Sequence, residues 1–209
     1  MRNLGLAITA GVIVLAGIGW ASAHQPCQTL DCLINRHPAV TSCLTDDWEC
    51  LVREQVHYAP QFVVDTATSY LTSQRWLDPA DMSYVKTTVT MVSPPTESAL
   101  YVNYHRQICD NVGWCSSRYG FILRYTSFGW EVVDIPWLSP PPFAGQCIDN
   151  WDYYLYGIQR DNALYYGRIN TNHSICTKYD DRQVVRVDAQ NKRDYLVHNA
   201  FFITPAPPG

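Results

Sequence analysis

The sequence predicts an α+β protein: two N-terminal helices followed by a mostly antiparallel β-sheet, stabilised by disulfides. Three features of the 209 residues carry this expectation. Apolar residues recur at helical spacing between positions 47 and 71. From Tyr84 onward the apolar runs become short, β-branched and aromatic. Eight cysteines, an even number, lie along the chain.

Each element follows from local chemistry. Asp46 with Glu49 makes a capping-box-like start, and Trp48, Leu51, Val52 and Val56 then fall on one face, which predicts a helix over about 47–58. Pro60 suits the first turn of a second helix, whose stripe is Val63, Ala67, Tyr70 and Leu71 and which Asp78-Pro79 stops. Four strands are expected next: Tyr84 to Val92, Ala99 to Ile108, Tyr119 to Thr126 and Trp130 to Ile135. Pro136 and Pro140-Pro141-Pro142 interrupt the chain, because proline neither donates to a ladder nor continues a helix. Two further hairpins are expected beyond them, Asp152 to Arg160 with Ala163 to Ile169, and Gln183 to Ala189 with Tyr195 to Ile203. The layout is thus a leader over 1–23, a helical hairpin with a four-stranded lobe over 24–138, a hairpin-rich lobe over 139–204 and a loose tail over 205–209.

Composition excludes several classes. With 47% hydrophobic and 16% charged residues the chain has the apolar content to bury a core, unlike a disordered polymer. A net charge of -4 without a basic cluster gives no footprint for a phosphate backbone, so nucleic acid is not an expected partner.

Arg2 precedes an uncharged run from Leu4 to Trp20, and Ala21-Ser22-Ala23 has the small residues that signal peptidase accepts. Cleavage before His24 is expected, leaving no later segment long and apolar enough to span a membrane. The expected location is secreted or periplasmic. All eight cysteines, Cys27, Cys32, Cys43, Cys50, Cys109, Cys115, Cys147 and Cys176, follow the cleavage point, which reads as four disulfides in an oxidising compartment. Sequence does not fix the connectivity. Proximity favours a Cys109–Cys115 clasp, pairing of Cys27, Cys32, Cys43 and Cys50 among themselves, and Cys147 with Cys176.

Gly120-Phe121-Ile122-Leu123-Arg124-Tyr125, a tight turn over 127–129 and Trp130-Glu131-Val132-Val133-Asp134-Ile135 resemble the terminal hairpin of NTF2-like proteins. That resemblance implies a cone-shaped fold with helices before an antiparallel sheet. It implies no single activity, since such proteins include isomerases, dehydratases and binding modules, and it carries no catalytic pair onto this chain.

The candidate binding residues are aromatic. Trp151, Tyr154, Tyr156, Tyr165 and Tyr166 crowd one expected hairpin with Tyr153, and strand alternation places Tyr154 and Tyr156 together on one face. With rings on both faces, one set is expected to pack and the other to meet a partner. Trp114 sits in the loop that Cys109 and Cys115 flank, a pre-ordered position for an anchor.

Catalytic motifs are missing: there is no G-x-S-x-G and no H-E-x-x-H, and the S-x-x-K match from Ser83 to Lys86 opens an expected strand instead of a helix. No cofactor is expected. The one metal alternative is copper at His24, which as a mature N-terminal residue offers an amine and an imidazole together, as in copper-dependent polysaccharide monooxygenases. The expected function is an exported binding protein that recognises another extracytoplasmic protein as an inhibitor, immunity factor or assembly component, with a glycan as a further possible partner. The alternatives are a secreted carbohydrate- or cell-wall-active enzyme and an NTF2-like small-molecule module.

Overall fold

The computed structural model describes residues 27–36, 42–44, 46–77, 85–93, 97–109, 112, 115–134, 151–170, 182–197, 203 and 205–206. Among these, mostly antiparallel β-sheet is joined by a few helices. The expected leader, the proline-rich interruption, Trp114, Cys147, Cys176 and His24 lie outside them.

Among the described residues three helices are present where two were expected. The additional one is α1 (Leu30–Asn35), a single short segment whose cap is Thr29, the hydroxyl accepting from the Cys32 N–H at 3.2 Å. Six residues are too few to generate a readable apolar period. Helix α2 (Trp48–Gln55) starts one residue later than the capping box implied: Asp47, not Asp46, accepts from the Cys50 N–H, at 3.1 Å. Asp46 instead takes a left-handed turn with φ of 66°. The helix also ends before 58, because His57–Tyr58 leaves as β1 and pairs with Met91 and Thr90. Tertiary pairing overrides a weak helical preference there. Helix α3 (Gln61–Ser73) follows Pro60 and buries Val63, Ala67 and Leu71, the i, i+4, i+8 stripe of its sequence.

Four cysteines pair among themselves, Cys27 with Cys32 and Cys43 with Cys50, tying the approaches to α1 and α2. Closing loops this short constrains the unfolded chain by about 2 kcal/mol each. Cys109 and Cys115 stand opposite each other in register at the end of a strand ladder; their side chains lie outside the described set.

Sheet A runs in the order β1, β2 (Val85–Val92), β3 (Leu100–Cys109), β4 (Cys115–Thr126), β5 (Gly129–Asp134); sheet B runs β6 (Trp151–Ile158), β7 (Leu164–Asn170), β8 (Arg182–Val187), β9 (Arg193–Val197). Every pairing is antiparallel. Alternation along β3 divides the sheet's two faces: Leu100, Val102 and Tyr104 join α1 and α3 in one core, whereas Tyr101 joins α2 and sheet B in another. Sheet A therefore lies between two helices on one side and sheet B with α2 on the other, and residues from before and after the proline-rich interruption share a core.

Strand β6 is an edge of sheet B, and an exposed edge invites another strand. Two side-chain amides close it. Asn103 Nδ2 donates to the Tyr153 carbonyl at 2.6 Å, and Gln55 mimics a strand by donating to the Ile158 carbonyl at 3.0 Å and accepting its N–H at 2.7 Å. The approach of Gln55 explains Gly157: its φ is +132°, and a Cβ there would stand 2.8 Å from Gln55 Oε1. The bulge between Leu155 and Gly157 accommodates that backbone.

Candidate functional site

The tyrosine-rich hairpin does not form the expected surface. Tyr154 and Tyr156 share a face, because Gly167, against which Tyr156 packs, is the register partner of Tyr154, but that face is covered. Tyr156, 1% exposed, lies over Gly167, where a Cβ would meet its Cζ at 2.8 Å. Trp48 of α2 then covers this face, with ring centroids 5.0 Å from Tyr156 and 5.5 Å from Tyr165. Tyr153 and Tyr166 are buried on the opposite face, and Tyr154 is half-buried against the same core. Of the sequence-selected anchors, Tyr156, Tyr165 and Tyr166 are thus packing residues. The side chain of Trp151 and all of Trp114 lie outside the described residues.

The hydroxyls of Tyr165 and Tyr166 are spent internally. Tyr165 donates to Asp161 at 3.0 Å, and Tyr166 donates to the buried Asp134 at 2.5 Å. Burial, followed by the Asp161 carboxylate, pushes the Tyr165 phenol up to about 12; burial and Asp134 raise Tyr166 further. Asp134 is the sheet A member of a latch between the sheets. Arg168 approaches it at 3.4 Å and Arg193 at 3.9 Å, while Arg168 also donates to Gln183 at 2.7 Å and stacks over Tyr195.

The most exposed ring among the described residues is elsewhere, at the turn joining β4 to β5. Phe128 is wholly exposed there. Its backbone is fixed: the Phe128 N–H donates to Thr126 Oγ1 at 3.2 Å, and Gly129 follows with φ of +106°. Nothing crowds a Cβ at Gly129, so the turn dihedral alone requires glycine. Below the tip, the register partners Tyr125 and Trp130 place ring centroids 5.1 Å apart, and Tyr70 of α3 stacks on Trp130 at 6.4 Å. Tyr70 in turn meets Trp76 edge-on at 6.1 Å. One charged group braces the hairpin from its other face: Arg124 pairs closely with Glu97 and bonds Glu131 at 3.0 Å. A rigid stem carrying half-buried rings and a fully exposed phenyl can insert that phenyl into an apolar pocket at little ordering cost.

Sequence reading identified this hairpin but passed over its tip. The available signal was Phe128 between Ser127 and Gly129, since a two-residue turn has no core to receive a phenyl ring. The latch was also overlooked, although Asp134 and Arg168 sit inside otherwise apolar strand segments.

Among the described residues, Cys43, Cys50 and Glu54 form a metal-like cluster, but both sulfurs are consumed in a bridge and offer no thiolate. No described helix is long and apolar enough to cross a membrane. No family model, curated protein or solved structure matches the chain.

Proposed function

We propose that this chain is an exported, disulfide-rich binding protein that recognises another extracytoplasmic protein, and that Phe128 is its principal anchor. The observation that carries this reading is the complete exposure of a phenyl ring on a backbone fixed by a turn hydrogen bond and flanked by a Tyr125–Trp130 pair. A surface ring of this size contributes nothing to folding, yet burying it on a partner contributes about 1.5–3 kcal/mol. Aromatic residues dominate interface hot spots for that reason. Export is supported by the leader-like N-terminus and by the Cys27–Cys32 and Cys43–Cys50 bridges, which persist in oxidising compartments. Arg124, the basic residue nearest the tip in sequence, is paired with Glu97 and Glu131, which favours a protein pocket over an anionic lipid surface.

The test is capture from the protein's own envelope fraction or culture medium by the oxidised chain, followed by affinity measurement on the captured partner. Phe128→Ser is expected to weaken binding about 10-fold to 100-fold while leaving the melting temperature unchanged. Equal affinity of the variant and the parent chain would remove Phe128 as the anchor.

A further inference from the structure

The face of sheet A that meets sheet B is only partly covered. Tyr101, Ile122 and Val133 lie in the shared core, but beside them three register pairs, Lys86 with Gln107, Thr88 with His105 and Thr90 with Asn103, floor a groove of about 280 Å³. Its walls include Tyr58, Tyr154, Ile203 and Pro205. A face destined for packing is apolar, and one destined for water is exposed; this floor is polar and partly buried, with Thr90 and Asn103 only 8% and 7% exposed. Asn103 holds the β6 carbonyl through Nδ2, which fixes the inner end of the floor against sheet B.

The chemistry of the groove selects its occupant. Hydroxyl and amide groups of Thr88, Thr90, Asn103 and Gln107 are neutral, and His105 Nε2 faces the Asp152 carboxylate at 3.3 Å. Among the described lining residues Lys86 is the one lysine or arginine, too little to hold a polyanion against nearby Asp152. An apolar ligand would strand the floor's hydrogen-bonding groups. An extended peptide adding to β6 here would have to displace Asn103 from the Tyr153 carbonyl and Gln55 from both backbone groups of Ile158. A small ligand with hydroxyls along one edge and an apolar face for a tyrosine ring satisfies both floor and walls.

We propose that this groove binds a neutral pyranose unit of a glycan, at a site separate from the Phe128 hairpin. Thr88 and Gln107 bond its hydroxyls, and Tyr154 packs against its C–H face. The experiment is chemical-shift mapping of the intact oxidised chain with maltotriose, cellotriose and triacetylchitotriose, each taken to about 10 mM, with trigalacturonic acid and trialanine as comparators. At least one neutral trisaccharide is expected to move the backbone amides of residues 88, 105, 107 and 154, with a dissociation constant of about 1 mM or tighter. Thr88→Val with Gln107→Leu is expected to weaken that binding at least about tenfold without altering the melting temperature. The proposal is overturned if no neutral trisaccharide moves those amides, if trigalacturonic acid or trialanine binds there more tightly, or if the folded double variant binds like the parent. Shift mapping of the parent chain decides the matter even if the double variant does not fold, and neither result depends on Phe128.

Discussion

Replacing Asp134 with alanine is expected to lower the unfolding free energy by about 3 kcal/mol, the lower end of the 3–5 kcal/mol lost when one member of a buried ion pair is removed. Asp134 is 5% exposed and receives the Tyr166 hydroxyl, Arg168 and Arg193. Deleting its carboxylate leaves a buried phenol without its acceptor and two guanidinium groups facing each other across the vacated position. Partial access of water to the arginines, and the retained Gln183 bond and Tyr195 stacking of Arg168, keep the loss from the upper end. Asp134→Asn is expected to cost less, because an amide oxygen still accepts from Tyr166. Asp134→Leu with Arg168→Met is expected to recover part of the loss, since replacing a buried pair by apolar groups removes its desolvation penalty. Urea unfolding measures all three; a loss below about 1 kcal/mol for Asp134→Ala would mean that the latch does not join the sheets.

Alkaline pH is expected to unfold the protein cooperatively between about pH 10 and 12. Burial, aided by neighbouring acids, pushes the Tyr101 and Tyr165 phenols up to about 12 and raises Tyr153, Tyr154 and Tyr166 further. A tyrosine in the unfolded chain ionises near 10. Below that value both states hold the proton, and the stabilising effect of the protonated, buried ring is fully present. Above it the unfolded state releases the proton while the native state keeps it, so stability falls as pH rises toward the native value. Each unit of separation corresponds to about 1.4 kcal/mol per group, and five such groups together exceed the 5–15 kcal/mol of a typical domain well before all reach their native values. Phenolate absorbance is therefore expected to rise steeply, together with loss of near-ultraviolet circular dichroism. Smooth ionisation of every tyrosine near pH 10 with the fold retained would contradict the burial of the hairpin.

These two effects arise from contacts that link distant parts of the chain, which is also where sequence reading reached its limit. Strands β2 to β7 were legible within a few residues at each end because Val, Thr and aromatic runs stand between turn residues. The two-residue β1 was not, since its reason for existing is the edge of β2. On β6 the exposure differed, not the face: Tyr156 packs over Gly167, the register partner of Tyr154, and lies beneath Trp48. One of the two aromatic faces around 151–166 was expected to meet a partner because the element that covers it, α2, comes from a hundred residues earlier. Pairing among the first four cysteines was accessible from proximity alone. The latch and the groove required the registers of both sheets, and no local pattern encodes them.

The most direct measurement places a photoreactive phenylalanine analogue at position 128 and, in separate preparations, at positions 58 and 154, then irradiates each oxidised protein with its captured partner. Recognition through the β4–β5 tip gives a protein adduct from position 128 and none from 58 or 154. Adducts from 58 or 154 with none from 128 would locate the partner over the groove and contradict docking through Phe128.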